Sequence, residues 1–177
     1  PVVTAGPQPT EGVLGYSLMM DRYRDLSGSL DFVDALEEQL PELLFILVPM
    51  EEEGDPYFRL MAGPATTIGA ANALKGPIGE VLTRENPATW LVRETPLAYY
   101  VGETQTLEAA HTRVASLTGM GIPAYVLQVT FPDGAEAFRL YAGAYASAED
   151  AEILLDVLES NGLGDAPLIE RRGRLPE

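Results

Sequence analysis

The sequence predicts an α+β chain of two tandem ferredoxin-like βαββαβ units packed against each other, and three observations carry that prediction. The first is an internal repeat: Phe58-Arg59-Leu60-Met61-Ala62-Gly63 recurs as Phe138-Arg139-Leu140-Tyr141-Ala142-Gly143, five residues of six at an offset of 80. Gly54, Ala71 and Leu74 fall on Gly134, Ala151 and Leu154 at the same offset, and an offset of 81 carries Val33 onto Val114 and Leu36 onto Leu117. Self-similarity at a fixed period marks a repeated supersecondary unit. The second is that each copy orders its hydrophobic periodicities alike, strand, helix, hairpin, helix, strand. The third is size: units of about 80 residues bury a small share of their surface and gain from packing together.

Taken in order, the first strands are Tyr16–Met20 and Leu97–Val101, followed by helices over Leu30–Leu40 and Leu107–Thr118 with Ser29 and Thr106 as N-caps. The hairpin of the second copy is Ala124–Phe131 and Ala135–Ala142 around Asp133-Gly134, and the first copy turns at Glu53-Gly54. The second helices run over Thr67–Leu82, broken at Gly76-Pro77, and Ser147–Ser160. Strands Thr89–Arg93 and Pro167–Glu170 close the units. The chain thus divides into an N-terminal arm (1–13), a first unit (14–94), a second (95–172) and a tail (173–177). The first residue is Pro1 rather than Met, which fits a processed chain or a piece of a longer one.

In this fold the helices cover one sheet face and leave the other open. A two-residue turn at Asp133-Gly134 pairs Val129 with Phe138 and Leu127 with Leu140 under the helices. It sends Gln128, Arg139, Val126 and Tyr141 to the outer face. In the first copy the outer face receives Ile46, Val48, Met50, Tyr57, Arg59 and Met61. So apolar a face needs a cover, from the second copy or from another protein.

Composition narrows the function. A net charge of −16 repels phosphate backbones, so nucleic acid is excluded as a partner despite Tyr100 and Tyr141 on a sheet. There is no Cys, hence no thiolate chemistry, and no apolar run long enough to span a membrane. His111 is the single histidine and has no ligand or triad partner in the pattern, so it reads as a helix-surface or half-buried residue. Glu51-Glu52-Glu53 with Asp55 lacks the alternating acids of an ion-binding loop. No cofactor, metal or catalytic motif is read. The chain is expected to be non-enzymatic.

The second copy resembles the sporulation-related repeat (SPOR) family, small envelope modules that bind peptidoglycan glycan strands stripped of stem peptides. The resemblance rests on Phe138-Arg139-Leu140-Tyr141-Ala142-Gly143-Ala144-Tyr145, on Ser147-Ala148-Glu149-Asp150-Ala151, and on Gly121-Ile122-Pro123-Ala124-Tyr125-Val126. The first copy keeps Phe58-Arg59-Leu60 and Gly63-Pro64. Tyr100 stands where the family usually has Gln and Glu103 where it has Ser, so Arg139 and Arg59 are the polar positions that carry over. The resemblance implies an extracytoplasmic, bacterial, non-catalytic binding module.

Two functions fit. The leading one is a docking or accessory subunit on a larger envelope or membrane complex. Its contacts would come from the outer face of the first copy, from Val2 and Val3 of the arm, and from Arg171, Arg172 and Arg174. The other is glycan binding on the outer face of the second copy through Arg139, Tyr141, Gln128 and Tyr100. Arg171-Arg172-Gly173-Arg174 reads either as a solvated tail or as a contact for an acidic patch or lipid headgroup.

Overall fold

The computed structural model describes residues 7–177, so Val2 and Val3 lie outside the described residues. It has two four-stranded antiparallel sheets with equivalent strand orders, β2-β3-β1-β4 and β6-β7-β5-β8. Unit one comprises β1 (Tyr16–Tyr23), α1 (Leu26–Gln39), β2 (Leu44–Glu52), β3 (Asp55–Ala65), α2 (Ile68–Ala73), α3 (Lys75–Val81) and β4 (Leu91–Glu94). Unit two comprises β5 (Leu97–Thr104), α4 (Leu107–Gly119), β6 (Ala124–Thr130), β7 (Glu136–Tyr145), α5 (Glu152–Ser160) and β8 (Leu168–Glu170). Thr106 caps α4, its side chain accepting from the Ala109 amide. The broken second helix of unit one parts at Leu74, one residue ahead of Lys75-Gly76-Pro77.

Helix α1 begins four residues ahead of the expected Leu30, because Asp25 and not Ser29 is its N-cap: the Asp25 carboxylate accepts from the Gly28 amide at 2.9 Å. Ser29 is buried inside the first turn, its hydroxyl donating to the Asp25 carbonyl at 2.7 Å. Helix α5 is shorter than expected. Residues 147–151 form turns, with the Ser147 hydroxyl accepting from the Asp150 amide, before the helix starts at Glu152.

The hairpins differ in a way that matters for the site. In unit one, Glu52 pairs with Asp55 across the two residues Glu53 and Gly54, with φ of 51° and 81°. Two successive positive φ angles match strand twist, so the ladder continues straight through. In unit two the loop has three residues, Pro132, Asp133 and Gly134. The Gly134 amide donates to the Phe131 carbonyl at 2.9 Å, and the Phe131 amide donates to the Ala135 carbonyl at 2.8 Å. Pro132 has no amide hydrogen to give a ladder and suits the first corner of a type I turn; Gly134, at φ 87°, supplies the left-handed residue that follows.

The extra residue corrects the expected register by one. Val126 pairs with Leu140, Leu127 with Arg139, and Gln128 with Phe138. Gln128 and Val126 therefore share the face of Leu140, and Leu127 lies with Arg139 and Tyr141, the reverse of the sequence expectation. Unit one keeps its expected pairs, Ile46 with Met61, Val48 with Arg59 and Met50 with Tyr57.

One core lies within unit one, where Leu18, Phe45, Leu47, Leu60 and Trp90 pack against Val33, Leu36 and Ile78. The other crosses between units. Ile46, Val48 and Met61 join a single cluster with Tyr145, Leu154 and Leu158 of unit two. Strand β2 lies against β7 and α5. This explains the unbroken apolar run Leu44–Val48, because both faces of the strand are buried and no alternation is needed. Pro49 closes that stretch on an edge strand, and its carbonyl accepts from the Tyr145 hydroxyl at 2.7 Å. Of the two covers open to this face, unit two is the one present.

The units are joined by Thr95 and Pro96 alone, and Arg171 holds that joint. The Arg171 side chain is 2% exposed. Its Nε donates to the Thr95 carbonyl at 2.8 Å, and its Nη2 to the Leu14 carbonyl and the Ser17 and Thr95 hydroxyls at 3.0–3.1 Å. Arg171→Ala leaves the buried Thr95 and Leu14 carbonyls without this donor, while the Ser17 and Thr95 hydroxyls keep each other, and should destabilise the chain by about 3 kcal/mol, read from urea unfolding. A variant that melts like the wild type would mean the joint is held by apolar packing alone.

Candidate functional site

The outer face of unit two carries Tyr125, Leu127, Val129, Arg139 and Tyr141, set there by cross-strand pairing, with Tyr100 paired to Tyr141 on the neighbouring strand. Arg139 is the centre. Its guanidinium carbon lies 5.2 Å from the centroid of the Tyr100 ring and 5.8 Å from that of Phe131. Its Nε donates to Glu103 at 3.4 Å and its Nη1 to the Tyr141 hydroxyl at 3.5 Å. Burial opposes the charge on Arg139, but Tyr141 and Glu103 more than offset it, so its pKa is raised. Burial, then Glu103, raises the Tyr100 phenol. A guanidinium between two aromatic rings is a surface suited to a sugar ring bearing amide or carboxylate groups.

The chain itself occupies this face. Arg139 is 7% exposed and Tyr141 and Leu127 are 0%. From β8 at one sheet edge the backbone passes to β6 at the other. The Tyr141 hydroxyl donates to the Arg172 carbonyl at 3.0 Å and accepts from the Arg172 amide at 3.1 Å. Gly173 rests on β6, where an added Cβ would lie 2.8 Å from the Leu127 Cβ and 2.9 Å from the Gln128 carbonyl oxygen. Arg174 then exchanges both backbone hydrogen bonds with Gln128, at 2.8 and 2.9 Å.

The N-terminal segment clamps this crossing. Glu11 accepts from the Thr130 amide on both oxygens at 3.0 Å and from Arg174 Nη1 at 2.6 Å. Arg172 Nη1 donates to the Glu11 carbonyl at 2.9 Å, and Val13 bridges Arg172. Burial would raise the Glu11 pKa, but the Thr130 bonds and Arg174 bring it below its ordinary value. The expectation of a solvated Arg-Arg-Gly-Arg tail is corrected accordingly. Arg171 sits in the joint, Arg172 bonds the arm and Arg174 bridges Glu11 and Glu136. Sequence reasoning could not find this, since the partners lie up to 163 residues away.

In unit one the equivalent face is split. Ile46, Val48 and Met61 are buried, while Met50, Tyr57 and Arg59 form a half-buried rim. Arg59 donates to the Met20 carbonyl at 3.0 Å, and the guanidinium carbons of Arg59 and Arg22 lie 5.3 and 5.2 Å from the Tyr57 ring centroid. Gln128 is brought to the tail instead of to Arg139, its side chain meeting Glu136 and the Glu177 amide. No cluster of metal-ligating side chains occurs among the described residues.

A groove of about 760 Å³ runs between the units, walled by α1, β2, α4 and β6. Leu30, Val33, Leu107 and Val114 make it apolar, and Asp34, Glu37 and His111 stand on its rim. The sequence pattern gave no sign of it, since its walls come from both units. Glu37 keeps solvent access, yet dehydration by the groove wall, then Asp34, push its pKa from 4.5 up to about 7.

One family model matches part of the chain. Residues 94–168, which span unit two from the end of β4 to the start of β8, match the family model of the SPOR domain. SPOR domains are peptidoglycan-binding modules of bacterial cell-envelope proteins, binding and not catalytic. The match supports the family resemblance for the second unit and does not extend over unit one. No curated protein and no solved structure matches the chain. No helix among the described residues is long and apolar enough to cross a membrane.

The raised Glu37 pKa fixes a sign. The folded chain keeps that proton up to about pH 7, whereas the unfolded chain releases it near 4.5, so this group's contribution is fully present below 4.5 and is lost as pH rises through about 7. Glu37→Gln should therefore match the wild type in thermal melts at about pH 4.5 and gain on it steadily towards about pH 8. A constant difference across that range would assign the carboxyl an ordinary pKa.

Proposed function

We propose that this chain is an extracytoplasmic, non-catalytic binding module whose second unit holds peptidoglycan glycan strands on the outer face of its sheet. The observation that carries the reading is the coincidence of the SPOR match with the Arg139 cluster, a guanidinium held between Tyr100 and Phe131 at the centre of that face. Tyr100 offers a ring face and a hydroxyl to a sugar, Arg139 offers donors to the N-acetyl and carboxylate oxygens of a denuded strand, and Tyr141 joins them where its hydroxyl is not held by Arg172. Gln128 has no part in this site, because its side chain belongs to the other face.

Residues 14–94 are proposed as a diverged SPOR copy that braces residues 95–172, with 1–13 and 173–177 as arm and tail. The equivalent strand orders support that ancestry. Unit one places Ile46, Val48 and Met61 against its neighbour, where a glycan reader would keep a face free.

A second reading is docking onto a larger envelope or membrane complex. It cannot draw on the buried part of that face. The observation that favours it is the groove between α1 and α4, whose apolar walls and acidic rim suit a basic amphipathic segment of a partner protein.

Arg139→Ala should reduce retention on stem-peptide-free sacculi by about tenfold or more, the scale of a charge-assisted hydrogen bond, while Arg59→Ala leaves retention unchanged. Retention of the Arg139 variant at the wild-type level would sink the assignment.

A further inference from the structure

We infer that residues 172–177 are an intramolecular strap that competes with glycan for the outer face of unit two, so that the module exists in closed and open states. The inference rests on the glycan reading and adds its regulation. The strap lies over part of the face that carries the proposed sugar contacts. The Tyr141 hydroxyl, which also accepts from Arg139, spends both its donor and its acceptor on the Arg172 backbone, and Leu127 lies under Gly173. A ligand cannot reach Tyr141 while Arg172 is in place.

The covering is a made fit. Gly173 has φ 133° and no room for a Cβ against β6, so the backbone passes closer to the sheet than any other residue would permit. Arg174 adds one backbone pair to the free edge of β6 at Gln128. The clamp over the strap is ionic and lies at the margin of the protein, Arg174 between Glu11 and Glu136, with side chains 16–51% exposed. Such pairs are individually weak and screened by salt, in contrast to the buried bonds of Arg171 just upstream. The strap therefore has a firm root at Arg171 and a fastening that can release. Opening breaks the Gln128–Arg174 pair, the Arg172–Tyr141 contacts, the Val13–Arg172 bridge, the Arg174 bonds to Thr130 and Glu136, the Glu11 clamp and the packing of Leu175. The Arg171 side-chain bonds at the joint lie upstream of it.

The sequence contains no cysteine, so one engineered pair can lock the strap. Gln128→Cys with Arg174→Cys bridges two residues already opposed in an antiparallel pair. Gly173→Val works in the other direction, because its side chain cannot be accommodated on β6. The assay is retention of the full chain on stem-peptide-free sacculi, with thermal melts to confirm folding. If the strap competes, the oxidised double-cysteine protein binds about tenfold or more weakly than the same protein after reduction, and Gly173→Val binds more tightly than the wild type by a similar factor, as expected when a binding-competent state is a minor population. Equal binding of the oxidised and reduced forms would overturn the strap and leave the glycan reading standing. Absence of binding by the wild type, by Gly173→Val and by the reduced pair together would overturn the glycan reading and the strap with it. Should Gly173→Val fail to fold, the cross-linked pair decides the matter alone, since its two states differ by one bond.

Discussion

A single buried guanidinium organises this molecule. Arg171 reaches the linker residue Thr95, the residue Leu14 before the first strand, and Ser17 within it, and meets each with a donor. Its acceptors are all neutral. The charge is thus solvated by carbonyls and hydroxyls instead of by a carboxylate, and a forked, planar donor set suits that task better than an ammonium would. Because the acceptors belong to unit one and the linker while the donor follows β8 of unit two, neither unit can satisfy the arrangement alone. The Leu14 amide and the Arg171 carbonyl pair at 2.7 Å across the same seam, so backbone and side chain act on one joint.

From that joint follows the unequal fate of two equivalent faces. Unit one turns its outer face inward, and the apolar residues there are worth about 1.5–3 kcal/mol each when removed from water. Unit two keeps its outer face directed away from its helices and covers it with its own chain. Both sheets thereby lose a wet face, one to a permanent core and one to a removable segment. Apolar Met61 and polar Tyr141, aligned by the repeat, mark the difference at a single position.

Much of the fold was legible because local physics dictated it. The repeat predicted two units, Thr106 capped α4 as its side chain implied, and the unit-one hairpin followed its Glu53-Gly54 turn. The start of α1 was misplaced although the repeat contained it, since Asp25 stands 81 residues before Thr106, the offset that already aligned Val33 and Leu36. The unit-two register was misplaced because Asp133-Gly134 looks like a complete turn until Pro132 is counted with it. Arg139, Tyr100 and Tyr141 were placed on one face, whereas Leu127 and Gln128 were exchanged between faces. What no local pattern could disclose was the role of the last residues. An arginine's partners in this chain are fixed by topology, and Glu11 and Arg174 become neighbours only after both sheets exist.

Turn length acts here as a selector. Strands β3 and β7 align at an offset of 80, yet pairing sets β2 against β6 at 79, Leu47 standing over Leu60 as Val126 stands over Leu140. The loss or gain of one codon at the hairpin tip would leave every residue of β7 where it is and exchange the two alternating sets of β6 between core and ligand side. Two relatives with identical strands could then offer different chemistry to the same sugar. A ligand residue on β6 should accordingly be transferred between such proteins by counting the loop between its strands, and not by matching the strand's own letters.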